Sequence, residues 1–123
     1  SSFYFIILNM EKKPIGTISL YNVFNSYGEF GRWICNGSAI ESLESALLIH
    51  QYAFDVLGLK AVYTRTLADN HKVVSFHRKF GATISSTPYL EPEYGQNVIK
   101  GTVHIAMFPE IQSRCKKIIE ALL

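Results

Sequence analysis

Few side chains in this 123-residue chain combine a reactive group with a defined place in the hydrophobic pattern. Glu29 opens an apolar run and can accept a proton, whereas His77 lies in a helical pattern and can give or take one near neutral pH. His77 shares a helix side with Val73 and Phe80, which also suits a partly buried histidine bonded to a carbonyl or water. Cys35 invites a nucleophile role, but no partner base is visible and a small buried side chain explains it better. His50, His71 and His104 have no metal-ligand spacing with one another, so they are read as structural and no metal is expected. Arg65 and Lys79 could meet a phosphate, with solvated charge as the default.

Periodicity supplies the elements that must hold these groups. Phe3 to Leu8 is a continuous aromatic and β-branched run, the pattern of a strand covered on both faces. A polar turn over 9–13 leads into a second strand, Ile15 to Phe24, and a turn over 25–28 into a third, Glu29 to Cys35. By the period of two, Glu29, Gly31, Trp33 and Cys35 share one face. Leu43 to Leu57 has helical spacing and Gly58 suits its C-cap. Lys60 to Leu67 reads as strand, Asp69-Asn70 as a cap, His71 to Phe80 as a short helix closed by Gly81. Thr83 to Tyr89 and Val98 to Phe108 read as strands, and Pro109 suits the first position of a last amphipathic helix carrying Ile111, Cys115 and Ile119. The strand-helix-strand unit in the middle requires a right-handed crossover, and hairpins on either side make the sheet mixed.

Apolar residues make up 48% and charged residues 18% of the chain, with no repeat or linker, so 1–123 is read as one domain. A net charge of +2 without a basic stripe argues against nucleic acid and membrane surfaces. No apolar run approaches the roughly 18 residues of a membrane span. Two distant cysteines form neither a disulfide framework nor a metal site, so a reducing, cytoplasmic setting is expected.

The segment from Ala68 to Ala82 resembles the signature N-x-x-A/S-x-x-F/L-Y-x-K-x-G-F of the GNAT acetyltransferases, with Asn70, Phe76, Lys79 and Gly81 in place. Glu29-Phe30-Gly31-Arg32-Trp33-Ile34 is similar to the E-I-G-Y-W strand of the RimJ/RimL-like branch, and Tyr52 to Leu59 to the end of its first core helix. The spacing from Gly31 to Asp55 also resembles the amino-sugar-nucleotide acetyltransferase branch. The resemblance implies an α/β (α+β) fold: a mostly antiparallel sheet with a central parallel pair that splays apart, and helices on both faces. Acetyl-CoA would enter that V as co-substrate, its pantetheine bonding the strand near Trp33, Ile34 and Cys35. Family domains begin with a strand and two helices ahead of the strand matched by Phe3 to Leu8; this segment, which walls the acceptor site, is expected to be missing.

Acetyl transfer to an amine needs a deprotonated amine, stabilisation of an oxyanion and a proton for the departing thiolate. The resemblance gives Glu29 as the group that accepts the amine proton and places His77 where the family carries a tyrosine acid. The family's Q/R-x-x-G-x-G/A phosphate loop falls on Gly37, Ser38, Ala39, Ile40, Glu41 and Ser42. Here its basic residue becomes Gly37 and its first glycine becomes Ile40, while Ser42 could cap the helix. Glu41 puts a negative charge beside the phosphates, which is unfavourable unless it points away. Asn70 is either a cofactor contact or an ordinary helix cap; Phe76 and Lys79 complete the cofactor set. The acceptor would be a small-molecule amine such as a sugar nucleotide or polyamine, or a protein N-terminus; a homodimer is one assembly open to such a domain. The other reading is a non-catalytic GNAT-like scaffold that binds CoA weakly or not at all.

Overall fold

The apolar run at the start forms β1 (Phe3–Leu8), which pairs antiparallel with β2 (Pro14–Phe24), and β2 with β3 (Tyr27–Cys35). This computed structural model describes residues 1–122. After β3 come α1 (Ala39–Gln51), β4 (Ala61–Leu67), α2 (His71–Phe80), β5 (Thr83–Ile84), β6 (Tyr89–Glu91), β7 (Gln96–His104) and α3 (Phe108–Leu122). Among the described residues seven strands form one sheet in the order β1-β2-β3-β4-β7-β5, with β6 also beside β7, and of these only β3 and β4 run parallel. Mixed pairing, a central parallel pair and the crossover through α1 are as expected.

Several boundaries and one exposure pattern differ from expectation. β1 lies at the sheet edge, not between two covered faces: Tyr4, Ile6 and Leu8 are exposed while Phe3 and Phe5 pack edge-on against Tyr52. The helix expected from Leu43 starts four residues earlier, at Ala39, because Ser38 caps it there. It widens into a π turn over Tyr52–Val56, and Gly58 ends it at φ +65° as expected. The strand expected over Thr83 to Tyr89 breaks into β5 and β6, interrupted near Pro88, which has no N–H to donate. β7 stops at His104, and a short 3-10 turn leads directly into α3.

Two bulges shape the centre of the sheet. Pairing moves from Tyr21↔Glu29 to Phe24↔Tyr27, leaving an extra residue on β2, and from Ser19↔Gly31 to Thr17↔Ile34, leaving one on β3. Asn22 (φ 51°) and Arg32 (φ 48°) sit at these sites in the left-handed region. The β3 bulge overturns the expected shared face of Glu29, Gly31, Trp33 and Cys35. Beyond it the alternation resets: Trp33 packs 5.2 Å from Phe30 and its Nε1 donates to Ser45 Oγ of α1 at 3.1 Å, while Gly31 stays beneath Tyr21 on Glu29's face. A Cβ on Gly31 would lie 2.5 Å from the Tyr21 hydroxyl oxygen, so the phenol can fold over the strand only because this residue is glycine.

Ile18, Leu20, Phe30, Val62 and Val103 line one face of the sheet, and Leu47, Phe80 and Ile111 from the three helices meet there in a single core. Helices were expected on both faces; these three contribute to the core of one. No helix among the described residues is long and apolar enough to cross a membrane. His50 and His77 are buried in this core, and His50 Nδ1 donates to the Ala46 carbonyl at 2.7 Å. Phe80 lies 4.8 Å from the His50 ring and Phe30 lies 5.6 Å from the ring of His77.

Burial pushes both imidazoles down from 6.5 to about 4. The unfolded chain therefore takes up protons first as pH falls, so stability is full above pH 6.5 and drops as pH approaches 4. The expected loss is about 1.4 kcal/mol per pH unit for each ring. Thermal melts across this range check it: a His77→Phe chain should show a slope smaller by that amount, and an unchanged slope would contradict the assignment.

Candidate functional site

β3 and β4 are paired only at Tyr27↔Ala61, Gly28↔Val62 and Glu29↔Tyr63. Past Glu29 they diverge: β4 stays on β7 as far as Leu67 and β3 stays on β2 as far as Cys35. The facing edges of Phe30–Cys35 and Thr64–Leu67 therefore have no strand between them. The V opens toward the carboxyl ends of the two parallel strands, where α1 and α2 begin, the position in which α/β sheets hold ligands. An open strand edge offers N–H and C=O groups to an extended ligand, and a helix start offers N–H groups to an anion.

Two different surfaces flank the apex. On the helix side Trp33, Phe76 and His77 are gathered: Trp33 and Phe76 lie 4.8 Å apart, and His77 lies 5.7 Å from Phe76 and 6.3 Å from Trp33. With its pKa near 4, His77 is a neutral imidazole at pH 7 and carries no proton for a leaving group in imidazolium form. On the opposite face Glu29, 0% exposed, is held by four donors. Its Oε1 accepts from Asn22 Nδ2 and Arg65 Nη2, both at 2.9 Å, and its Oε2 from Arg65 Nε at 3.0 Å and the Tyr21 hydroxyl at 3.2 Å. Arg65 in turn reaches Glu91 at 3.2 Å and Glu93 at 3.1 Å, with its guanidinium 5.0 Å from the Tyr94 ring centroid. Desolvation and the Glu29 charge both raise the Tyr21 pKa, so the phenol stays protonated and donates.

The expected site residues thus fall into separate groups. Trp33, Phe76 and His77 come together, and Ile34 and Cys35 continue the open edge of β3. Glu29 and His77 stand on opposite faces of β3. Glu29 is fully buried, and Arg65 is no solvated charge: its side chain is 11% exposed. Ala39, Ile40, Glu41 and Ser42 form the first turn of α1 rather than a loop, with Gly37 and Ser38 as the turn before it. Ser38, not Ser42, is the cap: its Oγ accepts from Glu41 N at 3.2 Å while Glu41 Oε1 accepts from Ser38 N at 2.8 Å. Asn70 caps α2 by accepting from Val73 N at 3.4 Å. Lys79 is exposed near the other end of α2, about 13 Å along its axis from Asn70. Tyr21, Asn22, Glu91, Glu93 and Tyr94 were not foreseen; the one available signal was alternation in β4, which puts Tyr63 and Arg65 on one face.

A family model for the acetyltransferase (GNAT) domain matches residues 1–83. The apo structure of FdhC, described as a nucleotide-linked sugar GNAT, is 29% identical with a TM-score of 0.78, covering 93% of this chain and 63% of its own. A GCN5-related N-acetyltransferase from Brucella melitensis is 16% identical with a TM-score of 0.84, covering 97% of this chain and 58% of its own. Spermidine/spermine N-acetyltransferase SpeG from Vibrio cholerae is 17% identical with a TM-score of 0.76, covering 89% and 68%. The chain thus spans less than two thirds of the length of the first two. No curated protein matches it.

The Glu29–Arg65 pair is the feature of this site most open to measurement. Removing one partner leaves a buried charge uncompensated, so Arg65→Met and Glu29→Gln should each cost about 3–5 kcal/mol in urea unfolding. The double variant should cost less than the sum by at least about 1 kcal/mol. Strict additivity would show that the two groups do not act as a pair.

Proposed function

The chain belongs to the GNAT acetyltransferase family, and on that premise we infer that it transfers the acetyl group of acetyl-CoA to a primary amine. The observation that carries this reading is the splay of β3 from β4 after three register pairs, beside a bulge at Arg32. An open edge there can bond the amides of pantetheine as a missing strand would, and a β3 N–H can donate to the oxyanion formed at the thioester carbon. The amine nitrogen bonds to that carbon, the carbon–sulfur bond breaks, and CoA departs as thiolate while the amine proton passes to solvent.

The chain's own residues divide this work unevenly. Glu29, with both oxygens already accepting two hydrogen bonds, fixes the apex rather than taking the amine proton. His77, neutral at pH 7, packs the wall rather than protonating the thiolate. The acceptor favoured is an amine on a sugar nucleotide, supported by the 29%-identical nucleotide-linked sugar GNAT.

One observation favours a second reading, a non-catalytic GNAT-like module. Two amides at the α1 start are already capped and residues 37–42 hold no basic side chain, so the diphosphate of CoA fits this seat poorly.

Calorimetry with acetyl-CoA separates the two readings: measurable binding is expected, and no heat at about millimolar ligand would leave the non-catalytic module standing. Given binding, a panel of amines should show turnover on a sugar-nucleotide amine, and turnover confined to polyamines or peptides would overturn that acceptor. A His77→Phe chain should keep its turnover within a few-fold, whereas loss of a true acid costs about 100-fold or more.

A further inference from the structure

Arg32 reaches the sheet face opposite the helices only because β3 is bulged there. By the period of two it would follow Phe30 into the core. The extra residue instead sets Gly31 and Arg32 in succession on the face of Glu29 and returns Trp33 to the helix side. The position carries a backbone cost, since φ 48° is a conformation that long side chains rarely adopt. Strain of this kind gathers where a side chain is aimed at a ligand. The exposed guanidinium is fixed by two aromatic rings: it lies 4.2 Å from the Tyr21 ring centroid and 5.5 Å from that of Tyr4, and its Nη1 donates to the Tyr4 hydroxyl. Among the described residues no carboxylate pairs with it. Glu29, on the same face, has its oxygens taken by Tyr21, Asn22 and Arg65. Arg32 thus holds an uncompensated charge on a firm mount beside the open edge of β3.

We propose that Arg32 binds a phosphate of the acceptor and so selects a nucleotide-linked amine over a simple one. The proposal rests on the acetyltransferase reading and names the group on the acceptor that this chain recognises. A guanidinium held in one plane meets phosphate oxygens with two parallel hydrogen bonds, and it repels a polyamine. CoA also carries phosphates, but the starts of α1 and α2, which attract anions, belong to helices packed on the other face. Pantetheine lying between β3 and β4 would separate the two sides.

Calorimetry with uridine diphosphate and with thymidine diphosphate, each with and without saturating CoA, tests this on the native, Arg32→Gln and Arg32→Lys chains. The native chain should bind a nucleoside diphosphate, Arg32→Gln about tenfold or more weakly, and Arg32→Lys in between, with one CoA affinity for all three. Salt should weaken nucleotide binding more in the native chain than in Arg32→Gln, and circular dichroism should show one fold throughout. Equal nucleotide affinity in the native and Arg32→Gln chains, or no nucleotide binding at all, would overturn the proposal and leave the acetyltransferase reading to CoA binding. Displacement of the nucleotide by CoA, or a loss of CoA affinity in Arg32→Gln, would also overturn it, by giving Arg32 to the cofactor. Nucleotide binding through Arg32 with no CoA binding would sink the acetyltransferase reading while the phosphate site stood.

Discussion

Glu29 is a carboxylate with no access to water, and the centre of the sheet is arranged around that fact. An ion in such a place costs several kcal/mol unless its oxygens are fully bonded. The donors come from three residues on two strands: the phenol and amide of Tyr21 and Asn22 on β2, and the guanidinium of Arg65 on β4. Meeting them requires β3 to lie between β2 and β4 at this residue, which is where the parallel pairing makes its last contact, Glu29↔Tyr63. Arg65 has donors left over, and Glu91 and Glu93 use them, so the turn after β6 is drawn onto the same face. The ion pair thereby ties β2, β3, β4 and the β6–β7 turn at the apex of the V.

The bulges on either side of Glu29 decide what the V presents. Asn22 in the left-handed region turns its amide onto the carboxylate. Arg32, bulged on β3, resets the side-chain alternation, so Trp33 joins the helix-side cluster while Gly31 remains under Tyr21. The guanidinium of Arg32 then sits 4.2 Å from the Tyr21 ring centroid and bonds the Tyr4 hydroxyl, joining the edge strand to the same polar face. A strand without the bulge would put Trp33 with Glu29 and leave Phe76 and His77 without the indole they pack on.

Phe30 connects the two halves of the interior. Its ring contacts Trp33, His50 and His77, which belong to β3, α1 and α2. Imidazoles so enclosed lose their proton, which makes them packing groups at neutral pH and a liability in acid. The histidine that the family resemblance puts at a catalytic position is buried in the fold beside Phe30 and Trp33.

Local chemistry written in adjacent residues was legible from the sequence. The element order, the α2 helix between Asn70 and Gly81, the Gly58 stop and the mixed sheet all follow from caps and periodicity within a few residues. The family pattern from Glu29 to Ala82 gave the splayed pair in addition. What the sequence did not reveal depends on residues far apart in the chain. The partners of Glu29 lie 7, 8 and 36 residues away, and a bulge that moves Trp33 across the sheet is fixed by pairing with β2 rather than by the residues of β3. The Ser38–Glu41 cap is local and was open to reading, but the apolar spacing drew the helix start to Leu43 because an exposed first turn carries little hydrophobic signal. Tertiary structure alone decided which face each charge took, because burial and pairing are properties of the folded sheet.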